Sequence, residues 1–532
     1  MRIFADRHHP AFPFRYWAIC IVYFTLSLVG ILHHEIWLDE MHHFLLARDS
    51  GSIRELAFNA RYDGHPLLWD SLLFFLTRFT HNPFYMQLLH ITLTLAAVII
   101  FLRNSPFTDL FKILFVFGYF MLYEYNVISR NYALSVLLLF ICCSLICTKK
   151  RNYTTVVTSL LILSYTHFFS LICSVSIFLV TISIYMKDNE REIQKSGFLF
   201  LCIAYVLVTV LILWSIVPPA DHLLISNDTT PYLSFKRIGK GFSIFFKGLY
   251  HLPDFTKYNF WNTNLFVDVS KNMSIVPSVF CFIIPFLIFF DKPQSLLVFY
   301  LSAIGIAVFI FWSPVLAGVR YFGFIFLLFI LALWLSYFSH DTSPKNLPAN
   351  LTIRIRQWNE RIKIPFVYSF LFLQLFSSVI AYSLDIIRPF SEGKAVAEYL
   401  KEKKLTGKII VVNFQSSGPP ISGYLGQKIY YPETGELGSF CKWNFNPSLI
   451  NKNELISRIK KINAKDFILI LNDSMLNTSL DFKEPVYTDD ELKIFFLSSF
   501  HQGIMRTENY RLYEVRKTDS SSFHSRKFLL PG

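Results

Sequence analysis

The stretch that decides the fold is FRYWAICIVYFTLSLVGILHHEIWLDEMHHF, residues 14–44. Its first two-thirds, residues 14–34, form an apolar run of the length a membrane helix needs, about 20 residues. The remainder crowds His33, His34, Glu35, Asp39, Glu40, His42 and His43 into the place where that helix leaves the bilayer. Ionisable groups beside hydrocarbon are costly, so such a cluster marks a candidate site. Arg2, Arg7 and Arg15 precede or open the run, which is longer than a signal-peptide core and has no small-residue cleavage site. We read it as an uncleaved first span with the N-terminus in the cytoplasm.

The rest of the chain agrees with this beginning. Of 532 residues, 53% are hydrophobic and 16% charged, and the mean hydropathy is +0.42. That composition excludes an ordinary soluble protein and indicates a polytopic α-helical membrane protein. A net charge of +13 would suit nucleic acid, but the lysines and arginines fall mostly between apolar runs or in the C-terminal tail. They read as topology markers and lipid-headgroup contacts, with no nucleic-acid partner. Seven of the eight cysteines lie inside apolar runs, which implies neither a disulfide framework nor a zinc cluster.

Candidate spans cover residues 14–34, 84–102, 110–125, 131–148, 153–166, 167–186, 197–217, 274–290, 294–312, 321–338 and 364–384, about eleven in all. Residues 66–80 are apolar but short and carry Asp70 and Arg78. Making them a span would turn every later basic cluster outward, against the positive-inside bias, so they are expected as an interfacial helix on the outer side with Trp69 at headgroup level. Residues 1–388 then form a transmembrane domain with outer loops at 35–83 and 218–273. Ser52 and Glu55 have capping-box spacing, which starts a short helix in the first of these loops. From residue 389 to 532 the composition is that of a soluble domain. Helices at 391–404 and 453–462 alternate with strands at 408–413 and 466–471, giving a small extracytoplasmic α/β domain.

Four groups of residues could carry chemistry. Asp39 and Glu40 form an acid pair at the outer end of the first span, suited to a general base. Asp39, His42 and His43 are candidates for holding a divalent cation, although the HExxH zinc pattern is absent. Arg61, Asp63 and His65 enter the interfacial helix through a turn made by Gly64 and Pro66. Glu124, Arg130 and Tyr132 flank an outer junction, and Arg320 and Tyr321 follow Ser313-Pro314 at another; an arginine at such a point can take a phosphate through two parallel bonds. Tyr165-Thr166-His167 falls at the same level. The pattern is a phosphate clamp beside a base.

These residues resemble the GT-C superfamily of membrane glycosyltransferases. Leu38-Asp39-Glu40-Met41-His42-His43-Phe44 is similar to the Asp-Glu-x-His-Phe stretch of protein O-mannosyltransferases. Residues 61–67, RYDGHPL, are similar to the His-Pro-Pro-Leu element of bacterial members, with Leu67 for the second proline. Residues 129–134, SRNYAL, resemble their Arg-Pro-Tyr-Ala-Leu element with Asn131 for proline, and Tyr165-Thr166-His167 their Thr-His-Tyr element. The resemblance implies a GT-C-like fold in the bacterial inner membrane and a polyprenyl-phosphate-linked sugar as donor. It also implies a lipid, glycan or protein acceptor, with membrane lipids around the spans. Asp39 would take the acceptor proton, Glu40 would position the acceptor or Asp39, Arg130 and Arg320 would hold the leaving phosphate, and His65 would contact sugar or phosphate. Two other classes fit the same chain: a lipid-linked glycan transporter or flippase, and a non-catalytic scaffold displaying the C-terminal domain.

Overall fold

A computed structural model of the chain describes residues 1–5, 12–148, 150–188, 195–220, 222, 235–269, 275–312, 318–339, 348–444, 451–478 and 484–518. They fall into two compact units. One comprises Met1–His34 with Ser50–Ile387, the other Glu35–Asp49 with Arg388–Gly532. One division between them falls between residues 387 and 388. Residues 35–49, expected with the transmembrane part, instead join the C-terminal residues, because their backbone hydrogen-bonding groups find partners there.

Among the described residues of the first unit, seven helices are long and apolar enough to cross a membrane: Phe14–His33, Phe84–Asn104, Phe168–Lys187, Gly197–Ser215, Pro293–Trp312, Val319–Phe338 and Asn350–Ile387. The shorter apolar helices Tyr132–Ile146, Tyr153–Ser164 and Ile275–Ile288 fall on three further expected spans. The expected span 110–125 is not one helix. An α-helix, Asp109–Val116, ends before Gly118, whose backbone is extended, and a π-helix, Tyr119–Glu124, follows. A Cβ on Gly118 would come within 3.2 Å of the Gln374 side chain, so the missing side chain lets the broken segment pass the last long helix. The break has a consequence for chemistry: π-helical winding stacks residues five apart, and Tyr119 thereby donates to Glu124 at 2.8 Å.

Residues Leu68–Thr77 form the expected short helix. Trp69 is only 1% exposed and meets His90 edge-on at 5.8 Å, so it packs inside the unit. Ser52 caps the helix Ile53–Asn59 by accepting from the Glu55 N–H, as its spacing suggests. Val319–Phe338 is the most enclosed span, and its Phe326 and Phe329 interlock with Phe115, Phe120, Phe366 and Phe370. The first and last spans are joined by a buried pair, His34 Nδ1 to Asp385 Oδ2 at 2.8 Å.

The second unit is built on a seven-stranded sheet in the order β3-β2-β1-β4-β7-β6-β5. Strands β1 (Ile409–Val412) and β4 (Asp466–Leu471) pair in parallel, as does β1 with β2 (Ile429–Tyr431), and β2 pairs antiparallel with the short edge strand β3 (Glu436–Gly438). Helices Gly393–Glu402 and Lys452–Lys460 match the two expected from sequence. The other half is antiparallel and was not expected. There β4 pairs with β7 (Tyr510–Lys517), β7 with β6 (Leu492–Phe500), and β6 with β5 (Tyr487–Thr488). Separate apolar clusters cover the two faces, one around Leu469 and Tyr513, the other around Ile410 and Ile470.

Candidate functional site

The first unit gathers most of the expected phosphate-binding residues. Gly64, at φ 64°, makes a turn that glycine adopts without strain, and the turn delivers His65. The ring of His65 lies 5.0 Å from that of His167, which lies 5.0 Å from Tyr132 and stacks with Tyr321 at 6.4 Å. The segments carrying these residues are tied together locally. Asn131, next to Arg130, donates from its amide to the Thr166 carbonyl at 3.2 Å, and Ser135 bonds the Thr166 hydroxyl at 3.0 Å. The asparagine that replaces a proline in the resemblance thus stitches the Arg130 turn to the His167 turn.

His167 is 1% exposed, and its Nδ1 accepts the Phe169 N–H at 3.1 Å. A neutral imidazole with Nδ1 accepting carries its proton on Nε2, so His167 offers a donor at its other edge. Glu124, also 1% exposed, accepts from Tyr119 and from the Trp261 indole N–H at 3.1 Å. Arg130 and Arg320 both act electrostatically on Glu124 and on His167. Arg130 is 3% exposed, with its guanidinium 5.9 Å above Tyr132; that of Arg320 lies 5.2 Å from Tyr321 and 5.8 Å from Trp261. Aromatic faces hold such cations without neutralising them. The two guanidiniums thus act on both Glu124 and His167, with His65 beside His167, and the guanidiniums together with the His167 N–H are donors that suit a phosphate oxygen.

Arg61 stands apart from this cluster. Its guanidinium lies 3.6 Å from the Phe58 ring and 4.5 Å from Tyr62 and donates to the Phe58 carbonyl, which binds it to its own loop. Asp63 is half-buried in the same loop. Ser313-Pro314, which led to Arg320 in the sequence, lie outside the described residues.

Several members of this cluster were missed by sequence reasoning. Trp261, Asn262 and His251 sit in the long connection within residues 218–273, which has no periodic pattern to read. Asn262 adopts φ 63°, a left-handed conformation asparagine tolerates, and its side-chain oxygen accepts the Val319 N–H at 3.0 Å, capping the helix that begins beside Arg320. His251 is 1% exposed with its ring 4.3 Å from Tyr119, and neither ring nitrogen has a hydrogen-bond partner among the described residues. Burial pushes it down to about 3, so it is a neutral imidazole.

The second unit holds the acid pair. Leu38–Asp49 is a helix whose residues 40–47 are all buried, while Asp39 is half-exposed on its first turn. Glu40 is fully buried and accepts the Trp37 N–H at 3.3 Å, the back-reaching half of a capping box. The carboxylate expected to position the acceptor is thus engaged in starting its own helix. His42 Nδ1 accepts the Cys441 N–H at 3.1 Å. Its proton is then on Nε2, and binding a metal there would require the tautomer to switch and the Cys441 bond to be given up. His43 packs edge-on against His42 at 5.1 Å.

No family model matches the chain, and no curated protein matches it. Among solved structures, the chain is similar to ArnT from Cupriavidus metallidurans bound to undecaprenyl phosphate, at 10% identity over 94% of this chain and 97% of that one, with a TM-score of 0.47. It is similar to the apo state of the same protein at 11% identity, with the same coverage and TM-score.

Proposed function

We propose that this chain is a membrane glycosyltransferase of the GT-C kind. It moves a sugar from a polyprenyl-phosphate donor to an acceptor hydroxyl, with inversion, on the extracytoplasmic face of a bacterial inner membrane. The observation that carries the reading is that Arg130 and Arg320 both act on Glu124 and on His167, with His65 beside His167, inside a unit of apolar helices. Cations enclosed this way cost desolvation energy that a bound anion offsets, and a lipid phosphate brings that anion together with a tail that belongs among the spans.

Asp39 accepts the acceptor's proton as the acceptor oxygen attacks the anomeric carbon. The bond from that carbon to the phosphate oxygen breaks, and its electron pair leaves with the phosphate. The phosphate gains one negative charge in this step, and the two guanidiniums stabilise charge where it develops. The donor edge of His167 adds a hydrogen bond to phosphate or sugar. Glu124, fixed by Tyr119 and Trp261, sets the spacing of the arginines.

Full-length protein purified in detergent should release polyprenyl phosphate from at least one member of a panel of polyprenyl-phosphate pentoses and hexoses. Asp39→Asn should lower kcat by about 100-fold or more, the contribution of a general base, with donor affinity retained. Arg130→Ala should raise the donor KM about tenfold or more, as loss of a charged hydrogen bond does. A wild-type protein that neither binds nor consumes any donor in the panel refutes the proposal.

A further inference from the structure

The segment carrying Asp39 presents an accounting problem at its start. A helix leaves its first N–H groups without partners within the helix, and Leu38–Asp49 begins with no serine, threonine or asparagine to satisfy them. The partners come from residues about 390 to 510. Glu508 Oε1 accepts the Leu38 N–H at 2.9 Å, and the Tyr424 hydroxyl accepts the Ile36 N–H at 2.8 Å. In the reverse direction, Glu35 accepts the Phe390 N–H at 2.7 Å, His42 accepts the Cys441 N–H, and Asp49 accepts from the Ser439 hydroxyl. Met41 seats on Gly423 so closely that a Cβ there would lie 2.1 Å from its sulfur.

We propose that the C-terminal α/β domain is a clamp that positions Asp39: it holds the segment 35–49 at both ends and along its buried face, and Glu508 is the positioning residue that fixes the first turn. The inference rests on Asp39 being the base. It gives the domain a part in the chemistry, distinct from recruiting an acceptor. Three features make Glu508 the centre of the clamp. It is fully buried, it bonds the residue immediately before Asp39, and it lies within electrostatic reach of both Asp39 and Glu40. A carboxyl in that place controls the direction and the surroundings of Asp39 without touching substrate. Residues 40–47 of the helix are all buried, while Asp39 on its first turn is half-buried.

The test uses the full chain in detergent and two independent readouts, amide hydrogen exchange across residues 36–41 and steady-state transfer. Glu508→Leu keeps bulk and removes the acceptor. It should speed exchange at Leu38 and its neighbours at least tenfold and lower kcat at least tenfold with the donor KM unchanged. Glu508→Gln, which still offers an oxygen to the Leu38 N–H, should restore the protection and most of kcat. Tyr424→Phe removes a different point of the clamp and should loosen Ile36 in the same way, which keeps the test open if Glu508→Leu fails to fold. Exchange that stays at the wild-type level in both Glu508→Leu and Tyr424→Phe overturns the clamp. A wild-type protein without transferase activity overturns the proposed reaction and leaves the exchange comparison to judge the clamp by itself.

Discussion

Replacing Glu508 by glutamine should abolish a specific pH dependence. Burial, reinforced by the charges of Asp39 and Glu40 and opposed by bonds from Ser391 and the Leu38 N–H, pushes the Glu508 carboxyl up to about 8, from an ordinary 4.5. The closed clamp therefore holds a proton that the opened segment releases at any pH above about 4.5. The resulting stabilisation is complete below about 4.5, falls as pH rises, and is gone above about 8, for a total of about 5 kcal/mol. Between about pH 5.5 and about pH 7.5 the opening free energy should drop by about 2–3 kcal/mol, on the order of a hundredfold in protection once intrinsic exchange rates are divided out. The assay is amide exchange at Trp37 and Leu38 in wild-type protein and in Glu508→Gln at both pH values. Other raised carboxyls of the same unit, Glu433 at about 7 and Glu392, contribute equally to both proteins and cancel in the comparison. Equal pH dependence in the two proteins would refute the argument, since it would show that the proton on Glu508 is not linked to the closing of this segment.

Gly423→Ala places a methyl group on the Met41 sulfur and should destabilise the second unit by about 1–3 kcal/mol, read as a lower melting temperature that Met41→Ala partly recovers in the double variant. Asp385→Leu breaks the buried pair with His34 and should cost about 3–5 kcal/mol; adding His34→Leu should return much of this, and a double variant as unstable as the single one would show that the pair is not the cause. Asn262→Ala loses both the cap on Val319 and the residue suited to φ 63°. It should cost about 0.5–2 kcal/mol and raise the donor KM through Arg320, with kcat at saturating donor little changed.

Several of these features were legible in the sequence, and the reasons are local. Apolar runs of helical length mark most of the spans because every backbone group in a bilayer must be satisfied within its own segment. The strands at 408–413 and 466–471 announce themselves as short apolar runs between helices. Strand β6 also carried a signal, since Leu492, Ile494 and Phe496 are buried with Lys493 and Phe495 between them, an alternation of period two that the reading passed over. What stayed hidden depends on partners far away in the chain. The broken segment after Val116 exists because Gly118 must pass Gln374, some 250 residues further on. The capping role of Glu40 was invisible because the N-cap is Trp37, which no capping signature includes.

The membership of residues 35–49 is the most instructive case. Their acids and histidines stood out immediately, yet their proximity to the first span suggested that they belong to it. Local pattern cannot reveal that Leu38 bonds a carboxylate 470 residues later. The physical cue was nevertheless present in negative form: a helix start lacking any capping side chain of its own must borrow one. A sequence with acids of apparent catalytic value and no local cap therefore implies a second segment that supplies it, and the geometry to examine in any variant of this chain is the bond between Leu38 and Glu508 as much as Asp39 itself.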